Sequence, residues 1–201
     1  MRYGIAGSLT ALMLLLLCTG CATLPRQAQL PLGEWSGHGL FVIDKWAPDG
    51  KPAADWKPVV EWGRYATALT IEKAQVEGAD AVRIEILSQR GATKAIEGDR
   101  THIIALLQPQ ESLADGAITL YRVAEFGAST TAEAPHMEKG PEERRGASCM
   151  CVGRDLVLCF NYMDEFEDTF RFRGDTVLKD GSYFDSKSGL VHWSEKLDRK
   201  R

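Results

Sequence analysis

A chain of 201 residues with 24 lysines and arginines against 28 aspartates and glutamates suits one domain able to bury a substantial core, and is too short for a second full one. Its formal net charge of −4 at pH 7 excludes a surface built to neutralise nucleic-acid phosphates. The basic tail Lys196, Arg199, Lys200 and Arg201 is interrupted by Glu195 and Asp198, has no aromatic platform, and reads as solvated.

The first segment is an address. Arg2 supplies one positive charge, Ile5 to Leu17 an apolar run, and Cys18-Thr19-Gly20 small residues ahead of Cys21. The run is too short to cross a hydrocarbon core of roughly 30 Å as a permanent helix, so residues 1–20 read as a cleaved export signal and not as fold. The stretch from Leu17 to Cys21 resembles the lipobox of bacterial lipoproteins, with Leu17 one place early and Cys18 in the usual leucine position. That resemblance implies that Cys21 becomes the acylated first residue. Ala22 stands where an Asp is absent, which resembles the sorting class held in the outer membrane at its periplasmic face. Several acyl chains anchor stably where one is marginal, and no other apolar run approaches about twenty residues. The mature protein is therefore expected on the membrane through lipid alone. Residues 21–32, polar or small with Pro25 and Pro31, would form the anchor and a short tether, and 33–201 a single β-rich domain.

Gly33-Glu34-Trp35 opens the first strand candidate, Gly37 to Ile43. This resembles the G-x-W signature of lipocalins and other calycin barrels, in which the tryptophan plugs the closed end. Here Ser36-Gly37 replaces the aromatic that often follows, and no counterpart of the second lipocalin motif occurs. A loop from Asp44 to Lys57 comes next and carries Trp46 and Trp56, large aromatics suited to edging the mouth of an apolar site or dipping into a membrane interface. Further short segments alternate with period two, as in Val82-Arg83-Ile84-Glu85-Ile86 and Phe170-Arg171-Phe172-Arg173. Turn residues fall between such segments at Pro48-Asp49-Gly50, Glu77-Gly78, Gln89-Arg90-Gly91, Asp115-Gly116 and Asp180-Gly181. Glu111 to Ala114 is expected to form one helical turn after Pro109. A long connection is expected over Ala128 to Gly146.

Cys149, Cys151 and Cys159 would remain in an oxidising compartment, where thiols tend to pair. The run from Cys149 to Phe160 reads as a hairpin with a three-residue loop, Gly153-Arg154-Asp155, a register that places Cys149 opposite Cys159. A Cys149–Cys159 disulfide is the first expectation, Cys151–Cys159 the second, and three free thiols the third. No spacing with His38, His102, His136 or His192 supports a metal site, and no cofactor is expected. Asp164-Glu165-Phe166-Glu167-Asp168 reads as a solvated acidic turn, lacking the glycine and spacing of a calcium loop. It would also keep the flanking hydrophobic strands apart. Ser194 to Lys200 is expected to close the chain as a short helix capped by Ser194. Ser36 and His38 lie close in sequence, but no third member and no G-x-S-x-G elbow accompany them, so no catalytic residue is assigned.

The expected fold is all-β: a single antiparallel barrel of calycin type, or a β-sandwich, with a short C-terminal helix. The expected function is non-enzymatic binding of a small hydrophobic molecule or lipid by a membrane-anchored envelope protein, with Trp46 and Trp56 at the site. The alternatives are an accessory module recognising another envelope protein and, third, an envelope hydrolase. No nucleic-acid partner is expected.

Overall fold

The computed structural model describes residues 27–45, 59–90, 100–131, 133–139, 146–163, 166–185 and 189–201. Eleven strands follow one another: β1 (Gly33–Lys45), β2 (Val59–Val76), β3 (Ala79–Arg90), β4 (Arg100–Leu113), β5 (Ile118–Ser129), β6 (Glu138–Lys139), β7 (Gly146–Val152), β8 (Asp155–Met163), β9 (Phe166–Arg173), β10 (Thr176–Asp185) and β11 (Gly189–Arg199). Every pairing is antiparallel. Neighbours run β4-β3-β2-β1-β11-β10-β9-β8-β7-β5, and β4 pairs with β5 to complete the ring. The sheet is therefore a closed ten-stranded barrel and not a sandwich, with β6 pairing on β5 beyond β7. Closure removes the exposed sheet edges that an open meander would leave.

Period-two patterning sets which side chains enter. Ile84 and Ile86 are buried, while Arg83 and Glu85, which alternate with them, pair with each other at 2.7 Å on the outer wall, where Arg83 also reaches Glu72 at 2.9 Å. Pro109 has no N–H for the ladder, and the β4–β5 register shifts between Pro109 and Glu111. The helical turn expected over Glu111 to Ala114 is displaced: β4 continues to Leu113, and a 3-10 turn occupies Ala114–Gly116.

The two ends of the barrel differ. At one end tight turns join the strands at Glu77-Gly78, Ala114–Gly116, Gly153-Arg154 and Gly174-Asp175. Glu77 and Gly78 both take positive φ, 52° and 81°, as a two-residue turn matched to strand twist requires. The segment before β1 crosses this end. Ala28 donates its N–H to the Gly116 carbonyl at 2.8 Å, Ala28 and Leu30 join the core, and the Arg199 guanidinium donates to the Leu32 carbonyl at 2.7 Å. Residues 27–32 thus belong to the domain and are not simply tether. Trp35 is buried just above them, edge-on to Phe172 with 5.8 Å between centroids and under the Arg199 guanidinium at 5.4 Å. This end is sealed. At the other end the strands are linked by the longer connections 46–58, 91–99 and 130–145, together with 164–165 and 186–188; we call it the loop end.

Three expectations are corrected. Ser194 to Lys200 is strand and not helix: in β11 Glu195 and Leu197 point inward while Ser194, Lys196 and Asp198 point outward, a two-residue period that pairs with β1 and β10. Asp180-Gly181 is no turn but the middle of β10, and the turn falls at Gly174-Asp175. The β7–β8 hairpin has Val152 opposite Asp155, which leaves two residues in its loop and shifts the register by one.

Candidate functional site

Two adjacent rows of the barrel interior, on the loop-end side of the apolar core, carry polar side chains. In one row the backbone pairs Asp168 of β9 with Gly181 of β10, then Trp193 of β11, then Phe41 of β1 and Gly63 of β2. The next row toward the sealed end pairs Phe170, Lys179, Glu195, Gly39 and Tyr65 in the same strand order. The glycines make the packing possible. A Cβ at Gly39 would overlap the Tyr65 ring and Glu195, one at Gly181 would overlap Asp168 and Trp193, and one at Gly63 would overlap Phe41. Side chains of neighbouring strands lean into the space each glycine leaves.

Three hydrogen bonds and one longer ion pair tie these residues together. Lys179 Nζ donates to Glu195 Oε1 at 2.8 Å and lies 3.5 Å from Asp168 Oδ2. Tyr65 donates its hydroxyl to the same Glu195 Oε1 at 2.7 Å, and Trp193 Nε1 donates to Asp168 Oδ1 at 2.7 Å. Lys179 Nζ also sits 5.8 Å from the centroids of both Phe170 and Trp193, so two aromatic faces share its charge. Asp168, Lys179 and Glu195 are all buried.

Burial opposes the Lys179 charge, but the Asp168 and Glu195 carboxylates outweigh it and hold the ammonium above the usual lysine value. Burial, reinforced by Glu195, pushes the Tyr65 phenol well above its ordinary value, so it serves as a neutral donor. Two carboxylates thus face one ammonium. Glu195 Oε2 is buried and, among the described residues, accepts no hydrogen bond. Buried polar atoms are nearly always satisfied, and Trp35 Nε1 and His102 Nδ1 are bare in the same way.

Trp46, Trp56 and the lipidation candidate Cys21 lie outside the described residues, although Lys45 and Val59, which flank 46–58, are at the loop end. Cys149 faces Leu158 and Ser148 faces Cys159, so Cys149 and Cys159 project to opposite faces of the sheet, and both are unbridged. A one-residue slip turns every side chain over. Cys151 faces Leu156, which removes the second pairing as well. Within the core, burial and then the neighbouring cysteines push the Cys149 thiol up to about 12. Ser36, His38 and His192 are exposed on the outer wall. Of the expected acidic turn, Glu167 is exposed, but Asp168 is fully buried within the charged layer. Among the described residues no group of three or more His, Cys, Asp or Glu is arranged to hold a metal ion. A groove of about 290 Å³, lined in part by Gln27, Gln29, Asp80, Pro109 and Ser112, lies at the sealed end, away from this layer.

Fold and layer together define a closed ten-stranded antiparallel barrel with ionisable groups inside its wall. No protein-family model and no curated protein matches the chain. The side chains of the barrel therefore carry the functional argument.

Proposed function

We propose that the protein is a membrane-anchored envelope lipoprotein that holds a small hydrophobic molecule or lipid at the loop end of its barrel. The observation that carries this reading is the buried, hydrogen-bond-free Glu195 Oε2 inside a closed ring whose other end is sealed. A barrel needing only stability would fill this level with hydrocarbon, because buried charges are costly to desolvate and are often replaced without loss. Ligand sites combine apolar walls with a few placed polar groups, and here Phe41, Tyr65, Phe170 and Trp193 surround the carboxylates. Gly181, Tyr183, Val191 and Trp193 are half-buried on the loop-end side, which supports access from there.

The anchor fits this orientation. Gln27 is at the sealed end, and the six residues before it span at most about 20 Å when extended. With Cys21 acylated, the sealed end rests near the bilayer and the loop end opens away from it, so the stretch with Trp46 and Trp56 is better suited to edging a mouth than to dipping into that membrane.

Fatty-acid labelling tests the anchor: Cys21→Ala should abolish incorporation, and a variant that still takes up label would refute it. Titration with fatty acids, lysophospholipids and a hydrophobic dye, read by tryptophan fluorescence and thermal melting, tests the binding. Replacing Trp46 and Trp56 by Ala should weaken binding and leave the fold intact. No saturable binding by a folded protein would overturn the carrier reading.

A second reading has its own observation. On the outer wall Trp62 is 69 % exposed and Leu40 42 % exposed, and Val42 pairs with Trp62 across β1 and β2. Such a patch suits recognition of another envelope protein, and loss of a partner with Trp62→Ser but no loss of ligand binding would favour it.

A further inference from the structure

Each donor residue of the charged layer reaches a carboxylate. Tyr65 and Lys179 converge on Glu195 Oε1, Trp193 serves Asp168 Oδ1, and Lys179 spans to Asp168 Oδ2. Glu195 Oε2 is the remaining carboxylate oxygen, and among the described residues no donor reaches it. Among the described residues charge runs the same way as hydrogen bonding, since Asp168 and Glu195 share the single Lys179 ammonium. What would complete the site is therefore a group that both donates a hydrogen bond and carries positive charge. The walls favour the same chemistry: Phe170 and Trp193 already stabilise one ammonium at 5.8 Å, and aromatic faces attract cations most where water is excluded. Gly39 and Gly181 keep backbone close to the carboxylates, where a larger residue would overlap them.

We propose that Glu195 Oε2 anchors the N–H-bearing cationic head of an amphiphilic ligand, a primary ammonium or an amidinium-type group, whose apolar part lies toward the loop end. This deepens the carrier reading and rests on it. An anionic head would meet Asp168 and Glu195 in a low-dielectric setting and be repelled, and a neutral alcohol would satisfy the oxygen without balancing the charge. The barrel thus selects among amphiphiles by head group, while the tail sets overall affinity.

The test uses the chain from residue 21 onward with Cys21→Ala, which retains every described residue and carries no acyl chain of its own. Decylamine, decanol and decanoate share a tail and differ in head, and their dissociation constants are measured by calorimetry near pH 7. Decylamine should bind about tenfold or more tightly than decanol, and decanoate should bind weakest. Glu195→Gln should bring decylamine to within about twofold of decanol, which separates the site from general attraction of cations to an acidic protein. If that variant does not fold, the head-group order on the unsubstituted barrel decides. Equal affinity for all three heads, or decylamine affinity untouched by Glu195→Gln, overturns the inference and leaves the carrier reading standing. Binding of none overturns both.

Discussion

Lys179→Met probes the charged layer with little change in shape, because methionine keeps an unbranched chain of similar length and fills irregular space. The lysine is 4 % exposed, Glu195 3 % and Asp168 0 %, so removing the ammonium leaves two carboxylates facing each other out of water. Breaking a buried ion pair by deleting one partner typically costs about 3–5 kcal/mol. For a domain of this size each kcal/mol moves the melting temperature by roughly 2–4 °C, giving a loss on the order of 10 °C at neutral pH. Adding Asp168→Asn and Glu195→Gln to Lys179→Met should recover most of the loss, because the penalty comes from uncompensated charge and not from missing contacts. The sign with pH is fixed by the same residues. Lys179 holds its proton more tightly folded than unfolded, so its contribution is complete below the usual lysine value of about 10.4 and is lost as pH rises through the folded one. Tyr65, also raised, adds to that decline. Urea denaturation from pH 7 to 11 should show stability falling above about pH 10 in the parent protein, and falling less steeply in Lys179→Met. A loss below about 1 kcal/mol at pH 7, the scale of an exposed pair, would refute the argument that the layer is desolvated.

Trp35→Ala should cost about 3–5 kcal/mol by urea melts, since it empties a fully buried site at the sealed end, without altering the head-group order of bound ligands. Gly181→Ala should cost about 1–3 kcal/mol through overpacking against Asp168 and Trp193, and the emission of Trp193 should change as its bond to Asp168 is disturbed. Peptide mapping under non-reducing conditions should find Cys149 and Cys159 unlinked, with Cys159 alkylated in the native protein and Cys149 only after unfolding.

The wall of the barrel was largely legible in the sequence and its charged layer was not, for one physical reason. Val82 to Ile86 alternates cleanly, and Glu77-Gly78 is a turn whose chemistry permits little else, so local pattern and fold agree there. In the sequence Asp168 belongs to what reads as a solvated turn and Glu195 to what reads as a solvated tail, because isolated ionisable residues usually are exposed, and nothing singles out Lys179. Each nevertheless sits two residues from buried hydrophobics: Phe170 beside Asp168, Val177 beside Lys179, Leu197 beside Glu195. In a strand that spacing means the same face, so an inward charge was encoded, and its partners lie on other strands whose pairing the sequence does not print. Asp180-Gly181 has the sequence of a turn because Asp-Gly commonly makes one, whereas here the missing side chain makes room for Trp193. The cysteine pairing failed by a single residue of loop length, which in a strand reverses the face.

Photo-crosslinking with a diazirine-bearing long-chain primary amine, competed by the unlabelled amine and mapped by mass spectrometry, tests the carrier account most directly. The account predicts saturable, competable adducts at the loop end, on Tyr183, Val191 or Trp193 or within residues 46–58, and none on Trp35 or Ala28 at the sealed end. Adducts confined to Trp62 and Leu40 on the outer wall, or labelling that no competitor reduces in a folded protein, would contradict it.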